Sequence, residues 1–401
     1  MKKLLVALLK DGRPISLVDR WTRVELIRLK QQETFFCPAC EREVILKLGN
    51  RRIPHFAHKK EGMCAFEHEA ESSTHLAGKM DLFRWLQKQS INVKLEPYFH
   101  SIQQRPDLFV VVDQRAYALE YQCSPISEAL FRKRNNYYKK AGIRPIWIIG
   151  AYHLRHLSLY RFKLSRFHWL FAQHVSLSSQ PLLFYYCPET KQMFRLVRFI
   201  PFSPYCTFAI PLMNALSSLS FDDLLSYPSV PLPDDFWSEW LSEKKKWRLT
   251  FTMYPNKTNR RICSDFYHHR ILPPLFPPEA GWPLSHSYLF ETPPFIWQTY
   301  VLIELSKHHE VIPLSSIYAL MNEKIAARIV TVRTLPLANL YHYSRAVYEY
   351  LQLLTQLGYI EWKSRHTLQL IKPLTLPKTM DEAVNEDKRL LEAIKIKSGQ
   401  F

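Results

Sequence analysis

The stretch "RPDLFVVVDQRAYALEYQCS", residues 105–124, reads as two short strands joined by a polar turn. Each strand, 106–112 and 116–122, carries one carboxylate inside an otherwise apolar run, Asp107 on the first and Glu120 on the second. With the turn centred between Asp113 and Gln114, antiparallel pairing sets Asp107 opposite Glu120, their β-carbons roughly 5 Å apart on one face. Glu120 and Gln122 share that face, while Leu119 and Tyr121 point to the other. Two carboxylates that close repel unless a positive charge lies between them. Hard oxygen donors at a sheet edge suit Mg²⁺, an ion that can orient a water and neutralise charge developing on a phosphodiester. The plainer alternative is a strand-start aspartate beside a glutamate paired with an arginine such as Arg105.

The flanking segments extend the pattern. Upstream, "ESSTHLAGK" spaces Glu71, His75 and Lys79 four residues apart along one stripe of a helix. His75 is a candidate base or phosphate contact and Lys79 a candidate phosphate contact. Downstream, Ser127 can cap a helix running to about Ala141, with Glu128 in its first turn. Within it, "FRKRNNYYKK" offers Arg132 and Arg134 to phosphates and Tyr138 to unpaired bases, or else presents a solvated basic face over core tyrosines. "RPIWIIG" (144–150) reads as a buried strand. Helix, hairpin, helix, strand gives an α/β core with a mixed sheet.

Nearer the N-terminus, "CPAC" (Cys37, Cys40) and "HFAH" (His55, His58) give C-x2-C-x14-H-x2-H. Two thiolates and two imidazoles match a tetrahedral structural Zn²⁺ site, with Cys64 as a rival fourth ligand. Four protein ligands would leave no open position for water.

Across 401 residues the net charge is +18, carried mainly by residues 1–60 (+8) and 151–220 (+6), which flank the paired acids. A polyanionic partner follows, nucleic acid ahead of a membrane surface. Only 9 glycines are present and no Gly-rich phosphate loop is among them, which excludes the common nucleotide-binding motifs. "MKKLLVALLKDG" imitates a secretion signal, but its apolar run from Leu4 to Leu9 is short and closes on Lys10-Asp11, so a first strand is expected. No segment is long and apolar enough to span a bilayer. Seven cysteines, four of them scattered singly, suit a reduced cytoplasmic protein better than a disulfide framework.

The expected organisation is a multidomain α/β chain. A small N-terminal β domain with the zinc knuckle covers 1–62. A second domain covers 63–222, with its core in 66–150 and a basic, aromatic extension in 151–222. After the break at "YPSVPLPDDF", 223–401 forms a mainly helical domain. There "PPFIWQTYVLIELSK" and "HYSRAVYEYLQLLTQLGYIEW" signal helices, and "YIEWKSRHTLQLI" a two-strand wing, which together give winged-helix character.

The order Pro-Asp, twelve residues, Glu-x-Gln resembles the PD-(D/E)xK nucleases. That resemblance implies a restriction-endonuclease-like core in which Asp107 and Glu120 hold Mg²⁺ or Mn²⁺, Gln122 positions a water and Glu71 adds a further acid. Gln122 stands where those enzymes most often have lysine, and it cannot supply positive charge. Taken with "CPAC", "HFAH", "ESSTHLAGK", "ALEYQCS" and "RPIWIIG", the first 150 residues or so resemble the competence protein CoiA family. The family implies a role in natural transformation, handling DNA taken up as single strands in concert with the strand-exchange recombinase. The expected activity is metal-dependent cleavage of single-stranded or branched DNA. The rival expectation is a non-catalytic single-stranded-DNA-binding accessory protein, and a zinc-bearing transcription factor is a third.

Overall fold

The computed structural model describes residues 3–19, 21–49, 53–59, 64, 72–176, 180–203, 205–253, 256–307 and 310–398. The N-terminal layer comprises β1 (Val6–Leu8), β2 (Pro14–Ser16), α1 (Arg23–Gln32), β3 (Phe35–Phe36), β4 (Glu43–Lys47) and β5 (His55–His58). Its strands form one sheet in the order β2-β1-β3-β4-β5. α1 starts at a reciprocal cap, in which the Thr22 hydroxyl accepts from the Glu25 N–H and the Glu25 carboxylate accepts from the Thr22 N–H.

The middle of the chain supplies α2 (Ser73–Lys88), β6 (Val93–Leu95), β7 (Leu108–Val112), β8 (Arg115–Gln122), α3 (Glu128–Lys140) and β9 (Ile143–Gly150). β10 (Arg161–Phe162), α4 (Arg166–Leu170), β11 (Leu183–Cys187), β12 (Gln192–Ser203), β13 (Cys206–Ala215) and α5 (Asp222–Leu225) follow. All eight strands join one sheet, ordered β10-β13-β12-β11-β9-β8-β7-β6. It is mixed: β9 runs parallel to both β8 and β11, and the other pairs are antiparallel. Ser72 and Ser127 cap α2 and α3, accepting from the N–H groups of His75 (3.1 Å) and Leu130 (3.3 Å). The β7–β8 turn is centred on Asp113 and Gln114, both at positive φ (48° and 61°), as a two-residue hairpin loop matched to strand twist requires. Leu108 accordingly pairs with Leu119 and Val112 with Arg115.

The extension after β9 is built as sheet. Many of its aromatic residues are core: Tyr152 and Tyr205 are exposed, but Phe184, Tyr185, Tyr186, Phe199 and Phe202 are all buried. They also weld the sheet to the C-terminal helices, with Phe202 and Phe208 against Trp240 at 5.2 and 4.9 Å and Phe202 against Phe295 at 4.9 Å.

The C-terminal part holds α6 (Asp234–Thr250), α7 (Lys257–His268), α8 (Pro294–Ser306), β14 (Val311–Pro313), α9 (Leu314–Ala326), α10 (Ser344–Gln356), β15 (Ile360–Trp362), β16 (Thr367–Leu370) and α11 (Met380–Ser398). Its three strands form a small antiparallel sheet, β14-β16-β15. α11 is fastened to α6 by buried charges: Asp387 accepts twice from Arg248 at 2.9 Å and lies 2.9 Å from the Lys244 ammonium. One hydrophobic cluster runs from Leu4 to Ile394 and joins all three parts. Among the described residues, no helix is long and apolar enough to cross a membrane.

Candidate active site and metal centre

Asp107 lies one residue before β7, in a bend, so the ladder ends at Leu108 rather than including a paired Asp107–Glu120. The reason is local: Asp107 Oδ2 accepts the Tyr121 backbone N–H at 2.9 Å, turning the carboxylate onto the neighbouring strand. The same oxygen lies 3.3 Å from His75 Nε2, and Oδ1 lies 3.6 Å from the Lys79 ammonium. Lys79 is fully buried and donates to Glu96. The second Glu96 oxygen accepts from the N–H groups of Leu5 (3.0 Å) and Val6 (3.4 Å). Burial alone would raise the Glu96 carboxyl, but the positive charges of Lys79 and Arg105 outweigh it and hold the group below its ordinary range. Gly78 explains how α2 comes so close: a β-carbon there would stand 2.1 Å from the Tyr121 ring.

Glu120 is held from the other side of the sheet. It is adjacent to Tyr121, so the two side chains leave opposite faces; α2 packs on the Tyr121 face and α3 on the Glu120 face. Its Oε1 accepts from Arg134 at 2.6 Å and from the Tyr138 hydroxyl. Burial first, and then the Glu120 charge, push the Tyr138 phenol well up, which keeps it a donor. Arg134 also stacks on the Trp147 ring, 5.1 Å from its centre. Gln122 donates to the Ser124 carbonyl at 2.7 Å.

The structure thus brings His75, Lys79 and Asp107 together at one end of the hairpin and ties Glu120 to Arg134 and Tyr138. Glu120 is thus paired with an arginine, as the plainer alternative expected, and away from Asp107 rather than sharing a face with it; the arginine is Arg134, while the charge of Arg105 acts on Glu96. Lys79 and Tyr138, expected at phosphates and bases, are both fully buried. Arg132 is exposed and pairs with Glu128 one turn back at 2.8 Å. Glu71 lies outside the described residues. Glu96 was missed by sequence reasoning; "KLEPYF" has no periodicity or motif that marks it. The carboxylates of Asp107 and Glu120 have the hard-oxygen chemistry that Mg²⁺ or Mn²⁺ takes.

In the N-terminal layer, Cys37 follows β3 and opens a tight turn: its N–H donates to the Arg42 carbonyl (2.8 Å) and its carbonyl accepts from Glu41 (2.9 Å). That turn folds Cys40 back toward β5, where its sulfur lies 3.3 Å from His58 Nε2. The ligand atoms of Cys37, Cys40, His58 and Cys64 all lie within 4.8 Å of one another, the one such set among the described residues. Three sulfurs and an imidazole match the donor set of tetrahedral Zn²⁺. Burial, reinforced by Cys37 and Cys64, pushes the Cys40 thiol up to about 12, so a thiolate there calls for a cation between the sulfurs. His55, expected as a ligand, is outside the set, and Cys64 takes its place. An offset of three along β5 sends His55 and His58 to opposite faces, and His55 Nδ1 instead lies 2.9 Å from the Ile53 carbonyl oxygen.

Comparison with known proteins finds three successive matches along the chain. Residues 18–67 match the description "Competence protein CoiA, N-terminal domain", residues 71–229 "Competence protein CoiA, nuclease-like domain" and residues 236–384 "Competence protein CoiA, C-terminal domain". The chain is 30% identical over 365 residues to "Competence protein CoiA" of Bacillus subtilis (strain 168), an alignment covering 90% of this chain and 96% of that protein. No solved structure matches it. With three matches in order and a relative aligned over nine-tenths of its length, this chain belongs to the competence protein CoiA family.

Proposed function

We propose that this chain is a divalent-metal-dependent deoxyribonuclease that processes single-stranded or branched DNA during natural transformation. The observation that carries this reading is the set of ionisable groups buried around one hairpin: Asp107, Glu120, Lys79 and Glu96. Burying charges is costly even when they are paired, and such clusters concentrate where chemistry needs them. Asp107 would hold Mg²⁺ or Mn²⁺ from the α2 side, and Glu120 would join it on release from Arg134 and Tyr138; when bound, the ion supplies an activated water and neutralises charge on the phosphodiester. Lys79 stands in for the lysine that Gln122 replaces: its ammonium, paired with Glu96 and 3.6 Å from Asp107, fixes the position of the Asp107 carboxylate at the hairpin end. His75 orients Asp107 or takes a proton beside it, Gln122 positions the water, and Glu71 adds an acid from just before α2. The Cys37, Cys40, His58, Cys64 set holds a structural Zn²⁺.

DNA would run over the exposed Arg132, Lys133, Lys139 and Lys140 of α3. Residues 294–370, ordered helix, strand, helix, helix, strand, strand, support a winged-helix reading of that segment. The cytoplasm, where incoming strands meet the strand-exchange recombinase, is the compartment this role requires.

A second reading, a non-catalytic strand-gripping accessory, is favoured by one feature: Glu120 is engaged by Arg134 and Tyr138 rather than open to an ion. A cleavage assay on labelled single-stranded and branched DNA over a Mg²⁺ and Mn²⁺ series separates the two. Cleavage that requires metal supports the nuclease. DNA binding with no cleavage under any metal selects the accessory.

A further inference from the structure

Between residues 221 and 280 the formal charges cancel, yet they are segregated along the chain. Residues 244–270 contain eight Lys or Arg against one acid, Asp265. That acid is already engaged, accepting from the Tyr300 hydroxyl at 2.9 Å and the Lys324 ammonium at 3.1 Å. The nearest upstream acids, Glu239 and Glu243, turn to Arg161 at 2.6 and 2.7 Å. Lys244 and Arg248 on α6 are neutralised by Asp387, which leaves Lys257, Arg260 and Arg261 of α7, with Arg270 just beyond it, as the cations exposed around α7.

α7 presents it on one side. Ile262 and Phe266 are buried in the core. Lys257, Arg260, Arg261, Ser264 and Tyr267 are exposed and recur every three or four residues, which places them on one outer stripe. Arg261 reaches the Ala327 carbonyl at 3.2 Å, bringing the exposed Arg328 to the same rim. Lys257 and Arg260 sit in or beside the first turn, which holds no acid, although the helix dipole there favours negative charge. Helix stability does not account for these cations.

A groove of about 570 Å³ opens beside the stripe, lined by Phe251 and Thr252 on one side and by Arg260, Cys263 and Tyr267 on the other. Tyr267 keeps 53% of its surface exposed. An exposed aromatic ring between cations, beside an open groove, offers a base a stacking face while its phosphates meet the charges.

We infer that the outer face of α7, with this groove, is a second nucleic-acid surface that holds a single strand, remote in sequence from the Asp107 hairpin. It rests on the DNA-handling reading above and adds where the strand is gripped. A duplex keeps its bases stacked inside, so Tyr267 would matter for single strands and not for duplex.

The test is fluorescence anisotropy of the full chain with a labelled single-stranded oligonucleotide over a salt series. Lys257→Glu with Arg260→Glu should weaken binding at least about tenfold and flatten the log–log salt dependence by about 1.4. Tyr267→Ala should weaken single-strand binding about tenfold, leaving the salt dependence and duplex binding unchanged. Arg132→Glu, on α3, serves as the comparison, and circular dichroism checks that each variant is folded. If the α7 variants bind like the parent while Arg132→Glu loses affinity, this inference is overturned and the reading above stands. If the parent itself binds no DNA, both fall. If the α7 variants lose association with anionic vesicles but keep the oligonucleotide, the face belongs to a membrane and the inference is wrong.

Discussion

Gln122 occupies the position where a lysine would complete Glu-x-Lys, and Lys79 delivers an ammonium to the same hairpin from the preceding helix. The delivery depends on Gly78, because any larger residue would push the Tyr121 ring and α2 apart. Gly78→Ala should therefore cost about 1–3 kcal/mol, read as a lowered denaturation midpoint; an unchanged midpoint would mean that α2 tolerates displacement. Asp107 and Glu120 were legible in the sequence because carboxylates in apolar strands break the expected alternation. Their partners were legible only in part. Arg134 and Tyr138 looked like nucleic-acid contacts, since a basic-aromatic helix reads the same whether its polar tips face solvent or a buried carboxylate. Glu96 could not be found at all: its pairing with Lys79 depends on tertiary approach, and nothing in its neighbours encodes that.

Among elements, the β7–β8 register followed from the turn, because two positive-φ residues fix the pairing of everything outward. The placement of Asp107 did not follow, since a strand can end one residue early when a side chain captures a backbone N–H. α1 carried a readable signal in Thr22-x-x-Glu25 that pattern reading passed over. β11 and much of β12 were unreadable for another reason: strand segments buried on both faces lose the alternation that identifies them.

The β5 parity argument has a direct consequence for metal content. The parent should bind one Zn²⁺ per chain, measured by elemental analysis. Cys64→Ser should lose most of it, and His55→Ala should retain it; the reverse pattern would restore His55 as the ligand. At α4, His168 Nδ1 accepts from the Ser165 N–H at 3.0 Å and Nε2 lies 3.1 Å from the His153 carbonyl. Burial is the main reason its pKa falls from 6.5 to about 4. The unfolded chain then takes up the proton first on acidification, so this contribution is intact above the ordinary histidine pKa and is lost as pH falls toward the folded one. Between about pH 6.5 and about pH 5 the parent should lose about 2 kcal/mol that His168→Gln does not lose. Parallel pH profiles for the two proteins would contradict it.

At the scale of the whole molecule, one continuous core joins an N-terminal layer carrying the Cys37, Cys40, His58 and Cys64 set, a nuclease-like sheet and a helical C-terminal part. Glu96 shows the joining at atomic detail: one carboxylate accepts from the N–H groups of Leu5 and Val6, at the start of β1, while gripping the lysine beside Asp107. The net charge of +18 pointed to a polyanion from the composition alone, but averaging over residues 221–280 concealed the run of Lys and Arg within 244–270, and only the structure separates its buried members from those exposed on α7. Charge totals are sequence properties; charge surfaces are not. The central claim remains that the acids of this hairpin cut a phosphodiester. Its most direct measurement is cleavage of a labelled single strand with Mg²⁺ or Mn²⁺ by the parent and by Glu120→Ala, with folding of both checked by circular dichroism. The account predicts cleavage by the parent that stops when the metal is chelated, and a loss of at least about a hundredfold in the variant. Equal cleavage by the two folded proteins would contradict it.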